Sequence, residues 1–349
     1  MTGIGLYTRA LAAALEQEGV TVVRVGARRS GELPRKVGSR SLYILGEAPK
    51  VLAHEPSPLF HALSNFNLPL VRVPGKRLVL TVHDLIPLLF PSTVSKAFRW
   101  QFFLWLSRSL QLADQVICVS QTTRTDLLAH FQVDPDRVAV VYNGADHVDA
   151  VPALGVAGRA QLEGFDLPNA FVLYAGAFDA RKNIEAVVHA CSMLKAQGRA
   201  TTLVLMGQPW FGSSAIERQI DARRREGLDV RVLGYQSASM FYAVMRKATV
   251  LAFPSRYEGF GLPPLEAMRL GTPVLISDRG ALPEICGDAA VQIDPDDPSA
   301  LAAALDRLLH SPAEQARRSE AGRTRASQFT WRQAASQTAE VYREALRRG

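Results

Sequence analysis

The chain has 349 residues, 48% hydrophobic and 21% charged, an ordinary globular composition at a length beyond one hydrophobic core, so two domains are expected. The formal charge of +7 favours anionic partners such as nucleotide diphosphates, a phosphorylated lipid or an anionic membrane face; no helix-turn-helix, finger or aromatic RNA platform supports nucleic acid. No run of about 18 uninterrupted apolar residues predicts a membrane span, Met1-Thr-Gly-Ile-Gly5 does not read as a signal peptide, and Cys118, Cys191 and Cys286 read as reduced core thiols of a cytoplasmic protein.

Thr2-Gly-Ile-Gly5 is a glycine loop ahead of a helical pattern, Leu6 to Gln17, with Leu11, Ala14 and Leu15 on one side. Such a loop should follow a strand, and none precedes it. Gly3-x-Gly5, a strand over Val20 to Val25 and then Arg28-Arg29 superficially suggest an NADP-binding fold, although Thr8 stands where a third glycine is needed. Strands are expected at Ser41 to Leu45, Leu59 to Leu63 and Arg77 to Val82. His83 follows the last of them, so it either points into a ligand crevice or is a satisfied structural histidine. Asp84 either orients that imidazole or caps the next turn.

Lys96 to Leu110 has Phe98, Phe102, Trp105 and Leu106 at helical spacing, with Lys96, Arg99 and Arg108 between them. The stripe is needed to cover a sheet, which favours a core-facing helix of the first domain. Trp100 and Phe103 fall off the stripe and keep open an interfacial contact with an anionic membrane. A strand over Gln115 to Val119, a helix over Thr122 to Phe131 and a strand over Arg137 to Val141 follow. Ala145 to Pro168, irregular and rich in Ala, Gly and Pro, marks a domain boundary.

The second domain begins with the strand Phe171 to Ala175, ending at Gly176, and Arg181-Lys182-Asn183 opens a helix through Leu194. Adjacent cations at a strand–helix junction suit a diphosphate, though a bare pair is commonly only solvated. Strands and helices then alternate: Thr202 to Met206, Ser214 to Arg225, Val230 to Leu233, Ser237 to Lys247. This cadence implies a parallel sheet with right-handed crossovers. Gly207 and Gly234-Tyr235 end strands on the ligand side and are candidates to line a nucleobase. The two Asp-x-Asp strings, at Asp134 and Asp294, each contain a proline and read as turns or caps, so no metal is assigned. Helices over Ser299 to His310, Pro312 to Ser327 and Trp331 to Arg347 close the chain.

Between these lies the most informative stretch, Ala252 to Gly271. The apolar run Ala248 to Phe253 predicts a buried strand; a loop with Glu258, Gly259 and Gly261 follows, and then a helix opened by Pro263 and Pro264 and ended by Gly271. Two carboxylates, Glu258 and Glu266, flank a glycine-rich loop at a helix N-terminus. That arrangement suits a ligand with hydroxyls and phosphate.

The string P-S-x-x-E-G-F-G-L-P-x-L-E-A-M resembles the nucleotide-sugar site of retaining family 4 glycosyltransferases. Val82 to Pro91 around His83, the G-x-x-x-x-R-K-N run from Gly176 to Asn183, and Ala281 to Ile285 extend the resemblance over most of the chain. It implies an α/β GT-B architecture of two Rossmann-like, doubly wound parallel-sheet domains facing a cleft. Residues 1–150 would be the acceptor side, 151–168 a linker, 169–329 the nucleotide-sugar side, and 330–349 a helix crossing back. Family members carry a first strand before the glycine loop; its lack here makes Met1 an expected internal start. Implied roles follow residue by residue. Glu266 would accept from ribose hydroxyls, Glu258 from donor-sugar hydroxyls, with Gly259 and the N–H groups of Phe260, Gly261 and Leu262 on sugar and phosphate. Arg181 and Lys182 would neutralise the leaving diphosphate, Gly3 and Gly5 approach it, His83 contact the sugar, and Gly176, Gly207 and Tyr235 line the donor site. The reaction would be retaining, without cofactor or metal. GDP-mannose is the first expected donor and UDP-glucose the second, with a saccharide or lipid-linked acceptor in O-antigen or capsule assembly at the cytoplasmic face of the inner membrane. An NADP-dependent oxidoreductase and a catalytically silent nucleotide-sugar-binding protein are the rival readings.

Overall fold

The computed structural model describes residues 3–25, 46–208 and 214–347. They form two compact units, residues 1–144 with 331–349, and residues 145–330. The first is built on four parallel strands in the order β1 (Leu59–Ala62), β2 (Arg77–Val82), β3 (Gln115–Cys118), β4 (Val138–Val140). The central strands β2 and β3 are buried on both faces, as a parallel sheet covered by helices requires, while the edge strands β1 and β4 are only partly buried. Alternation divides β2: Leu78, Leu80 and Val82 pack under Phe102, Leu106 and Leu110 of the Lys96–Leu112 helix. Val79 packs on the opposite face with Leu11 and Leu15 of the Gly3–Gln17 helix and Trp331 and Val341 of the Trp331–Arg347 helix. The final helix therefore belongs to the first sheet.

Three expectations change in detail. Gly3 and Gly5 lie in the first turn of the Gly3–Gln17 helix and not in a loop before it. Residues 21–25 carry no strand among the described residues. That segment and Leu59 of β1 both line a cavity of about 620 Å³. The expected strand at Ser41 to Leu45 lies outside the described residues. The stretch read as irregular after Ala145 holds a helix, Val156–Gly164, whose Ala, Gln, Leu and Glu are good helix formers despite the glycines around them.

The second unit carries six parallel strands, in chain order β5 (Val172–Ala175), β6 (Thr202–Met206), β7 (Asp229–Gly234), β8 (Val250–Phe253), β9 (Val274–Ser277) and β10 (Val291–Ile293). Across the sheet their order is β10-β9-β8-β5-β6-β7. Val172, Tyr174, Leu203, Leu205 and Ala252 pack under the Ile184–Ala196 and Pro298–His310 helices. From β5 the order runs one way through β6 and β7 and the other way through β8, β9 and β10. Between β5 and β8 the sheet therefore has a topological switch point, and ligands of such sheets sit beyond the strands' carboxyl ends there. Of the two Asp-x-Asp strings, the first caps a short helix and the second closes a turn: Asp134 accepts from the N–H of Asp136, and Asp294 from that of Asp296, each at 3.0 Å.

Candidate functional site

The chain leaving β5 passes through Gly176 into a short turn, Ala180–Lys182, capped by Asp179, whose Oδ1 accepts from the N–H of Arg181 at 2.9 Å. Asn183 then turns left-handed (φ 56°), a conformation asparagine tolerates better than most residues, and starts the next helix. The chain leaving β8 supplies Ser255, Tyr257 and Glu258 opposite this turn. Arg181 Nη1 and Lys182 Nζ each donate to Glu258 Oε1 at 3.0 Å, and Ser255 Oγ donates to the same oxygen at 2.9 Å. Arg181 Nη1 also donates to the Tyr257 carbonyl. Burial pushes the Glu258 carboxyl up, but Lys182 and Arg181, with the Lys182 and Ser255 hydrogen bonds, outweigh it and hold it at about 2. Glu258 is thus ionised at neutral pH and held by one oxygen.

Eight positions on, Glu266 is in the Leu262–Leu270 helix and only 4% exposed. Its Oε1 accepts from Tyr242 OH at 3.0 Å and lies 2.9 Å from His147 Nε2. Burial, and then the charge and hydrogen bond of Glu266, push the Tyr242 phenol up, so it stays a neutral donor. Among the described residues no bond reaches Oε2 of either Glu258 or Glu266. Two carboxylates are therefore each clamped through one oxygen and present the other.

Between them Gly261 is the N-cap of the helix at φ 105°, in the glycine-favoured region. Pro263 and Pro264 remove two first-turn N–H groups, and Leu265 N already bonds Gly261 O at 3.3 Å. The N–H groups of Phe260, Gly261 and Leu262 take no bond among the described residues, so the donors and the positive end of the helix dipole concentrate there. Close backbone approach explains two other glycines. A Cβ on Gly207, after β6, would come within 1.8 Å of the Gly176 carbonyl oxygen, and one on Gly280 within 2.9 Å of Glu258 N. Tyr235, after β7, is exposed.

His83, Gly3 and Gly5 belong to the first unit. His83 follows β2; its Nε2 donates to the Leu63 carbonyl at 2.9 Å, which leaves Nδ1 with the lone pair. Its ring meets Tyr7 edge-on at 4.8 Å, and burial lowers its pKa, so the imidazole is neutral. Asp84 Oδ1 accepts from the N–H of Ile86 at 3.0 Å, the capping role of its two readings. Gly3 and Gly5 bring backbone N–H groups to a helix N-terminus, but no strand leads into them among the described residues.

Sequence reasoning missed His147 and Tyr242, which lie 119 and 24 residues from the carboxylate they hold. Ser255 was within the quoted P-S-x-x-E-G string and could have been found there. Gly280 had no sequence signal apart from being glycine.

The family model described as glycosyl transferases group 1 matches residues 161–325, and that described as glycosyltransferase family 4 matches residues 1–148. The O-antigen chain mannosyltransferase B of Escherichia coli is 30% identical over 273 residues, covering 77% of this chain and 70% of the relative. The MMP alpha-(1->4)-mannosyltransferase of Mycolicibacterium hassiacum is 31% identical, covering 72% of this chain and 59% of the relative. The sucrose-phosphate synthase structure from Thermosynechococcus elongatus covers all of this chain and 94% of its own, with 26% identity and a TM-score of 0.77. Anabaena HepE in complex with UDP and glucose covers 98% and 96%, with 20% identity and a TM-score of 0.74, a likeness of fold.

Proposed function

We propose, because this chain belongs to the glycosyltransferases of group 1 and family 4, that it moves a sugar from a nucleoside diphosphate to a hydroxyl of a saccharide or lipid-linked saccharide with retention of anomeric configuration. The observation that carries this reading is the pair of carboxylates, each held by one oxygen, beside unbonded N–H groups and two cations at the β5/β8 switch point. A nucleoside diphosphate sugar offers the matching groups. Its ribose hydroxyls would donate to Glu266 Oε2 and its sugar hydroxyls to Glu258 Oε2. Its phosphates would take the N–H groups of Phe260 to Leu262, with Gly259, Gly176 and Gly207 letting the backbone approach and Tyr235 beside the base.

In the proposed reaction the acceptor oxygen attacks the anomeric carbon on the face from which the diphosphate departs. The carbon–phosphate oxygen bond breaks, and the leaving phosphate takes the acceptor's proton. No side chain need become covalently attached, and no metal or cofactor is invoked. Lys182 and Arg181 offset the charge that grows on the leaving group. His83, neutral with its Nδ1 lone pair, and the backbone of Gly3 and Gly5 keep the donor-contacting roles that the family resemblance implies. Mannose is the favoured sugar, since relatives in E. coli and M. hassiacum are named mannosyltransferases; GDP-mannose is the first donor to try and UDP-glucose the second.

Thermal-shift screening of nucleotide sugars, followed by NMR of products made with the donor that stabilises the protein, tests this reading. A new α-linkage from an α-donor is expected; a β-linked product would sink retention, and absence of transfer from every stabilising donor would leave only a binding protein. The cytoplasm, where nucleotide sugars are available, is the proposed location.

A further inference from the structure

The Lys96–Leu112 helix buries Phe102, Trp105, Leu106 and Leu110 on the sheet, yet its outward face is not the polar surface that such a helix usually presents. Trp100 is 65% exposed, Leu104 61% and Phe103 38%. They stand at i, i+4 and i+3, so they share one face of the helix. The rings are ordered against one another: Trp100 meets Phe103 edge-on at 6.3 Å, and Phe103 stacks on Phe131 at 5.6 Å. Single exposed apolar residues need no explanation, but three adjacent large ones form a patch. Lys96, Arg99 and Arg108 are exposed beside it, and the helix carries no acidic residue.

We infer that this face docks on an anionic lipid bilayer, with the helix lying in the plane of the interface. Trp100, Phe103 and Leu104 would enter the headgroup–acyl boundary, and Lys96, Arg99 and Arg108 would meet the lipid phosphates. Charge complementarity selects this occupant. A second copy of the chain meeting itself through a two-fold contact would set the same three cations against each other. A bilayer with acidic headgroups offers both an apolar interior and counter-charge at matching depth. No described helix is long and apolar enough to cross a membrane, so the contact is peripheral and in-plane. This inference is independent of the donor-site reading and would stand if that failed.

Flotation of the purified full chain with vesicles tests it. Vesicles of phosphatidylcholine with about 40% phosphatidylglycerol should carry the protein up at 0.1 M NaCl, pure phosphatidylcholine should not, and 0.5 M NaCl should release most of it, as screening requires. W100S/L104S, both outward-facing, and K96Q/R99Q should each weaken binding at least tenfold with an unchanged melting temperature. On anionic vesicles Trp fluorescence should shift to the blue in wild type and much less in W100F. Failure to bind anionic vesicles, or equal binding by W100S/L104S, overturns the inference. So does a wild-type dimer in sedimentation that W100S/L104S makes monomeric, which would assign the patch to self-association.

Discussion

Lys182→Met separates a catalytic from a structural role at the β5/β8 switch point. The substitution keeps an apolar stem beside the Phe253 ring, where Lys182 Nζ lies 4.9 Å from the centroid, and removes the charge and its hydrogen bond to Glu258. Arg181 and Ser255 still hold Glu258 Oε1, at 3.0 and 2.9 Å, so the turn should survive. If Lys182 offsets charge on the leaving diphosphate, its loss should lower kcat by about 10²–10³, or about 3–4 kcal/mol of transition-state stabilisation. A second effect follows from Glu258. Lys182 is the largest of the influences that hold its carboxyl down at about 2 against an ordinary 4.5. Without it that pKa should rise by about 1–3 units. The carboxylate is needed ionised, so the acid limb of kcat/KM should move to higher pH in the variant. Initial rates with the cognate donor from pH 4 to 8, together with a melting curve, read both effects. A kcat within threefold of wild type alongside a melting temperature lowered by several degrees would refute the catalytic assignment and make Lys182 a structural partner of Glu258.

Glu258→Gln should change how stability depends on pH. A carboxyl held at about 2 when folded and near 4.5 when unfolded contributes stability fully present above about pH 4.5 and lost as pH falls toward 2. Wild type should therefore lose roughly 1.4 kcal/mol from this group between pH 6 and 3.5 that the variant does not, measured as the change in their difference in denaturant midpoint. His147→Ala and Tyr242→Phe each remove one donor from Glu266 Oε1 and loosen the oxygen proposed to meet the ribose; nucleoside diphosphate affinity by calorimetry should fall by about tenfold, one hydrogen bond to a charged group. Unchanged affinity in both would remove Glu266 from the nucleotide site. Gly207→Ala puts a methyl 1.8 Å from the Gly176 carbonyl oxygen and should cost about 1–3 kcal/mol in a thermal melt, while Gly3→Ala, with no heavy atom within 4 Å, should be neutral in stability.

The second unit was nearly complete in the sequence because each of its signals was local. Apolar runs of four or five residues buried on both faces, as at β5, β6, β8 and β9, cannot be amphipathic helices of that length. Asp297 ahead of Pro298, and Ser311 ahead of Pro312, fix helix starts by side-chain acceptance at the first turn. The Arg181–Glu258 contact, 77 residues apart, was not local, yet both partners could be named because both strands end at the same switch point. His147 lacked that advantage: it lies on a short turn, Asp146–Val148, outside any strand, so nothing in its neighbourhood pointed at Glu266. In the first unit, Val20 to Val25 has strand composition, yet composition alone supplies no pairing partner, and among the described residues the segment pairs with no strand. Gly3 and Gly5, expected in a loop ahead of the helix, lie in its first turn, where glycine costs little.

The structure also divides a pair that the sequence could only treat as equal. Arg181 is buried, and its guanidinium is engaged with Glu258, Ser255, the Tyr257 carbonyl and Asp179. Lys182 is half-buried, and among the described residues its ammonium, with three donors, makes a single hydrogen bond, to Glu258. Arg181 is then the residue that positions Glu258, and Lys182 the one with donors left for a ligand. The four charges of the cluster, Arg181, Lys182, Glu258 and Asp179, sum to zero. A resting diphosphate would therefore gain little from net attraction here and would rely on the N–H groups at Phe260 to Leu262. Lys182 would contribute most when charge on the leaving group grows enough to compete with Glu258 for its protons. An interaction stronger in the transition state than in the ground state raises kcat without tightening substrate binding, and a neutral cluster with one under-used ammonium is suited to supply it.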